Sequence, residues 1–103
     1  YKIYPSEIEK LILQNFPEID EVVLIGKVDE YRGETPKLIA VLKANAALKV
    51  QAMKEFLKEK VAKYKVPHEI ELRNEPLPKT GIGKIDRKAI RDAENSNAVP
   101  VKK

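Results

Sequence analysis

The stretch PLPKTGIGKIDR, residues 76–87, gathers the residue types that could do chemistry. The chain has only four glycines, and two of them, Gly81 and Gly83, flank one residue immediately before Lys84. Glycines so placed permit positive φ and close approach of another surface. A lysine is cationic at neutral pH; carried on a slim loop, it suits a site where negative charge gathers in a transition state. The spacing is not that of a phosphate-binding P-loop. That motif needs a glycine five positions before its second glycine and a Ser or Thr after the lysine, where this chain has Pro78 and Ile85. A solvated basic hairpin remains open on these residues alone, because glycines beside lysines are common in turns.

Other chemistries are constrained by inventory. Cysteine is absent and His68 is the only histidine, so a thiolate metal site is excluded and a zinc site or a nucleophile–histidine–acid triad is hard to assemble. His68, beside Pro67 where a strand should begin, reads as structural. The net charge of +4 comes from 20 Lys and Arg mixed along the chain with 16 Asp and Glu. Such mixing describes a solvated surface laced with ion pairs, which tolerates an anionic partner without demanding one. The cations from Lys79 to Arg91 could neutralise phosphates, but residues 65–103 contain no Phe, Tyr or Trp. Single-strand binders supply stacking aromatics beside their cations, so nucleic acid is not the expected partner.

The elements that must hold the lysine loop can be read from periodicity. PSEIEKLILQNFP predicts a helix with Ile8, Leu11, Ile12 and Phe16 on one face. It should start at a capping box in which Ser6 and Glu9 satisfy each other's backbone amides, and it should stop at Pro17. Helix capping also accounts for Glu7 and Glu9 better than catalysis does. IDEVVLIGKVD and TPKLIAVLK read as two strands joined by a charged loop. Residues 49–64 return to helical spacing, with Val50, Met53, Phe56, Leu57 and Val61 inward, until Pro67 pushes Val66 from α geometry. HEIELR alternates as a strand, PLPKTGIGK as a loop or hairpin, and DRKAIRDAE as a last short helix. YKIYP opens in a strand-like pattern that runs straight into a helix signal, as though cut from something longer.

The fold class this predicts is α+β: a small domain with a three-stranded sheet flanked by helices, plus a lysine-bearing loop or hairpin. Residues 1–92 form the domain and 93–103 a polar tail with the composition of a frayed end. The length fits one compact domain. No apolar run approaches the roughly 20 residues of a transmembrane segment and no secretory leader is visible, so a cytoplasmic location is expected.

Four motifs in order, YPSEIE, DEYRGETPKLIAVL, YKVP and LPKTGIGKIDR, resemble the C-terminal domain of the adenylate-forming enzymes, specifically the AMP-forming acyl-CoA synthetases. The resemblance covers about residues 1–92. It implies a mobile domain that closes in two orientations over a large N-terminal domain, its first partner, which holds ATP with Mg and the carboxylic acid. In one orientation the lysine at Lys84 assists adenylation, in which the carboxylate attacks the α-phosphate and pyrophosphate leaves. In the other the lysine withdraws, and the thiol of CoA attacks the acyl-adenylate to release AMP. A cation at about 4 Å contributes about 4 kcal/mol at an effective dielectric of about 20, enough for about two to three orders of magnitude in rate.

By the same resemblance Thr80, Gly81 and Gly83 shape the loop, and Ile85, Asp86 and Arg87 dock the last helix. Arg32 is placed to meet the CoA phosphates, which suits a guanidinium fork, with Lys60 and Lys65 assisting. Tyr1, Lys2 and Ile3 would line the pantetheine channel. The nucleotide and acyl pockets belong to the N-terminal domain, so this chain alone should form no acyl-CoA. Three alternatives stay open: an adenylation domain that loads a carrier protein, a luciferase-like oxygenase, and a stand-alone basic nucleic-acid-binding module.

Overall fold

In a computed structural model the described residues are 4–29, 31 and 33–98. They form α1 (Pro5–Asn15), β1 (Ile19–Asp29), β2 (Gly33–Leu42), α2 (Val50–Lys60), a 3-10 turn (Lys63–Lys65), β3 (Glu69–Arg73) and α3 (Arg87–Ala98). The sheet order is β1-β2-β3. β1 and β2 are antiparallel; β2 and β3 are parallel, which requires a long crossover, and α2 lies within it. The α+β class with a three-stranded sheet is what the periodicity predicts.

Both faces of this sheet are covered, which explains why VVLI and LIAV read as continuous apolar runs and not as alternations. On one face Val22, Leu24, Leu38, Ala40 and Ile70 pack with Ile8 and Ile12 of α1 and Met53 and Leu57 of α2. On the other, Val23, Ile25, Ile39 and Val41 pack with Leu77, Ile85 and Ile90 from the C-terminal segment. Phe16 and Phe56 meet edge to face at 5.2 Å where α1 and α2 adjoin, a preferred aromatic geometry. The middle layer is therefore the sheet, with α1 and α2 on one side and α3 and the lysine loop on the other.

β1 carries an irregularity with a large consequence. Ile19 pairs with Leu42 and Glu21 with Val41, so the register shifts between them. Side chains two apart on a regular strand share a face, yet Ile19 belongs to the α1/α2 core while Glu21 meets Leu77 and Lys79 on the opposite side. An extra residue in a strand re-aims the side chains beyond it.

The helix boundaries differ from those the sequence predicts. α1 begins at Pro5 with Tyr4 as its N-cap and no side-chain cap bond, so the Ser6–Glu9 capping box does not form. Proline at the first helical position lacks the N–H that a cap would satisfy and is already set at helical φ, and the Glu9 carboxylate is recruited elsewhere. α2 stops at Lys60, because Val61 turns extended at φ −128° and ψ 163°; the remaining residues to Lys65 include the separate 3-10 turn. α3 runs beyond Glu94 to Ala98. Asp86 caps it by accepting the Ala89 N–H at 3.0 Å, the usual N-cap arrangement.

Candidate active-site hairpin

Residues 77–86 leave the core at Leu77 (2% exposed) and return at Ile85. Lys79 and Ile85 form an antiparallel bridge. The Thr80 N–H donates to the Lys84 carbonyl at 2.7 Å, and the Gly83 N–H donates to the Thr80 carbonyl at 2.9 Å. Neither central residue, Gly81 nor Ile82, has positive φ, whereas Gly83 has φ 87°. These features define a three-residue hairpin loop, a type I turn closed by a left-handed glycine. Only Gly83 needs glycine's backbone freedom. A Cβ on Gly81 would stand in open space, so its smallness serves nothing within the described domain. Ile82 at the tip is 79% exposed.

Lys84 follows this turn on the exposed side of the hairpin. The segment 79–91 has five cations, and the other four are engaged. Lys79 pairs with Glu21 at 2.5 Å, Arg87 with Glu9 at 2.7 Å, Lys88 with Asp92 at 2.9 Å and Arg91 with Glu34 at 2.9 Å. Among the described residues no carboxylate pairs with Lys84. An ammonium held on a hairpin but left without a counterion is available to a ligand's negative charge.

The base of the hairpin is tied to β1. Glu21 accepts the Leu77 N–H at 2.9 Å and holds the Lys79 ammonium. The hydrogen bond from Lys79, then that from Leu77, keep its carboxyl below the usual carboxylate range. The returning leg is fixed when the Asp86 N–H donates to the Pro78 carbonyl at 2.8 Å. Arg87 then reaches across the outer edge of β1, donating to Glu9 at 2.7 and 3.2 Å and to the Leu24 carbonyl at 2.9 Å. Glu9 in turn accepts the Leu24 N–H at 2.7 Å. Further along the same edge, Asn95 donates to the Gly26 carbonyl at 3.3 Å and accepts the Val28 N–H at 2.8 Å. Side chains from both sides of the sheet thus satisfy an edge that would otherwise be open to another strand.

One further cluster was not singled out by sequence reasoning. Lys37, 4% exposed, lies under α3 and pairs with Glu71 at 2.8 Å, Glu94 at 2.5 Å and Glu69 at 3.4 Å. Arg73 and Lys27 complete the ring of charge. Burial alone would lower Lys37, but its bonds to Glu71 and Glu94 outweigh this and raise its pKa. Burial likewise pushes Glu69 and Glu71 up, but Lys27 and Lys37 bring Glu69 below the usual range and Lys37 and Arg73 bring Glu71 below it. The signal was faint: a lysine entering LIAVL, and glutamates alternating in HEIELR.

The other residues singled out in the sequence do not gather at the hairpin. Lys65 pairs with Glu7 at 3.1 Å, and the Lys60 ammonium lies 6.0 Å from the centre of the Phe56 ring, both on the α1/α2 side of the sheet. Tyr1, Lys2, Ile3 and Arg32 lie outside the described residues. An open groove of about 320 Å³ over Gly26, lined by Pro5, Leu24, Glu34, Thr35 and Pro36, takes in no residue of the hairpin. Among the described residues no group of His, Cys, Asp and Glu is placed to hold a metal ion.

A small α+β domain with a braced glycine–lysine hairpin matches a known class. The profile of the AMP-binding enzyme C-terminal domain matches residues 7–84, and the chain belongs to that family. It is 41% identical over 97 residues to a long-chain-fatty-acid–CoA ligase of Bacillus subtilis, covering 94% of this chain and 17% of that protein. Among solved structures it resembles a fatty acyl CoA synthetase of Mycobacterium tuberculosis (31% identity, TM-score 0.82, 94% of this chain and 19% of that one). It also resembles an anthranilate CoA ligase in complex with anthranoyl-AMP (34% identity, TM-score 0.83, 93% and 19%). The chain spans less than a fifth of the length of each of these three relatives. Among the described residues no helix is long and apolar enough to cross a membrane.

Proposed function

We propose that this chain is the mobile C-terminal domain of an acyl-CoA synthetase acting on a fatty acid or other carboxylic acid, and that Lys84 serves its adenylation half-reaction. The observation that carries this reading is that Lys84 alone, among the cations of residues 79–91, lacks a counterion among the described residues while the hairpin bearing it is braced at its base. In the proposed reaction the acid's carboxylate oxygen bonds to the α-phosphorus of ATP as the bond to pyrophosphate breaks. Negative charges converge in that step, and a cation already in place stabilises the transition state without solvent reorganisation. ATP with Mg binds mainly to the N-terminal domain, the partner over which this domain closes. CoA then takes the acyl group, and AMP leaves.

The position of Lys84 on one side of the sheet, with Lys60 and Lys65 on the other, supports a domain that turns different faces to its partner in the two half-reactions. Contacts to CoA from Arg32, Lys60 and Lys65, and a pantetheine lining from Tyr1, Lys2 and Ile3, form the second part of the proposal and rest on the family resemblance. An anion at Lys65 would compete with Glu7.

Single alanine substitutions in the full-length enzyme test this reading. Lys84→Ala lowers acyl-CoA formation by about two to three orders of magnitude, whereas Lys79→Ala and Lys88→Ala stay within about tenfold of wild type. Equal losses at all three positions would reduce the hairpin to a solvated basic surface.

A further inference from the structure

The Lys84 hairpin has no support at its tip. Ile82 is 79% exposed and nothing lies within 4 Å of where a Cβ on Gly81 or Gly83 would stand. The direction in which Lys84 points is therefore decided at the base. One side chain from outside the hairpin grips the outgoing leg at two points, namely Glu21, which accepts the Leu77 N–H at 2.9 Å and pairs with Lys79 at 2.5 Å. Its side chain is 17% exposed, which strengthens both interactions relative to a fully solvated pair. It reaches the hairpin because Glu21, in unbroken register with the rest of β1, shares the face of Val23 and Ile25 that packs on Leu77.

We propose that Glu21 is a positioning residue for the adenylation half-reaction, its carboxylate aiming the hairpin that carries Lys84. This deepens the proposed function and rests on its assignment of Lys84. A carboxylate that only stabilised the domain would serve both half-reactions alike. One that aims Lys84 serves the step that uses Lys84, where misplacement by about 1 Å costs about a hundredfold.

The test uses the full-length enzyme with Lys84→Ala, Glu21→Ala, Glu21→Gln and the double variant E21A/K84A. Acid-dependent ATP–pyrophosphate exchange and thioester formation from supplied acyl-adenylate are measured separately. Glu21→Ala is expected to lower exchange by about 10- to 100-fold while thioester formation stays within about twofold. Adding it to Lys84→Ala should cost nothing further, because residues that act through one another are not additive. Glu21→Gln keeps an acceptor for Leu77 and loses the ion pair, so its exchange lies between wild type and Glu21→Ala. It carries the test alone if the alanine variant does not fold. Equal losses in both half-reactions, unchanged exchange, or a full additional loss in the double variant would overturn the positioning role. Exchange unaffected by Lys84→Ala would instead overturn the assignment of Lys84, and the brace with it.

Discussion

Gly83 sits at φ 87° while Gly81, two residues earlier, has no positive φ, so two glycines that look alike in sequence meet different constraints. Gly83→Ala should cost about 1–2 kcal/mol in urea unfolding of this chain, the usual penalty for a side chain in left-handed geometry. Gly81→Ala should leave stability unchanged yet impair adenylation in the full-length enzyme if the tip enters a close-fitting site. Equal stability losses would contradict the turn assignment. Lys37 offers a second test. Removing its ammonium leaves Glu69 with only Lys27, and Glu71 and Glu94 with only Arg73, so Lys37→Ala should destabilise by about 1.5–3 kcal/mol at neutral pH. The directions of the shifts set the pH dependence. Glu69 and Glu71 titrate below their usual 4.5, so their contribution is complete above 4.5 and is lost as pH falls through the lowered values. Lys37 titrates above its usual 10.5, so its contribution is complete below 10.5 and is lost as pH rises through the raised value. Urea midpoints should be flat between these limits and fall outside them, and the acid fall should be shallower in Lys37→Ala. A midpoint independent of pH through the acid limb would contradict this network.

At the scale of elements, the outer edge of β1 is held by side chains from both layers. Leu24 exchanges its backbone groups with Glu9 and Arg87, and Gly26 and Val28 do so with Asn95. The Leu24 N–H bonds the Glu9 carboxylate and not a strand, yet it should be protected from hydrogen exchange, and Glu9→Ala should release it by about tenfold or more as that hydrogen bond is lost. A rate unchanged by Glu9→Ala would contradict the assignment. This edge also marks where sequence reading stops. Helical and strand periodicity identified each described helix and strand, because a buried face imposes its spacing locally. Glu9 misled, since S-x-x-E describes a local capping box equally well, and its true partners lie 15 and 78 residues away. Glu21 and Lys37 were illegible for the same reason: their roles depend on residues 77–79 and on α3 folding over the sheet. The hairpin that carries Lys84 was legible as a turn because its glycines and lysine are contiguous.

At the scale of the whole molecule, the sheet separates two surfaces. One carries the hairpin, Lys84 and α3; the other carries α1, α2, Lys60 and Lys65. Among the described residues neither forms an enclosed site around the hairpin, and the catalysis proposed above needs the N-terminal domain proposed as its partner. The isolated chain should form no acyl-CoA from acid, ATP and CoA, and formation at the rate of the full-length enzyme would contradict the division of labour. The most direct measurement is acid-dependent ATP–pyrophosphate exchange in the full-length enzyme, wild type against Lys84→Ala, across a panel of carboxylic acids, alongside thioester formation from supplied acyl-adenylate. A loss of about two to three orders of magnitude in exchange, with thioester formation largely retained, is the predicted result; robust exchange that ignores the substitution would contradict the central role of Lys84.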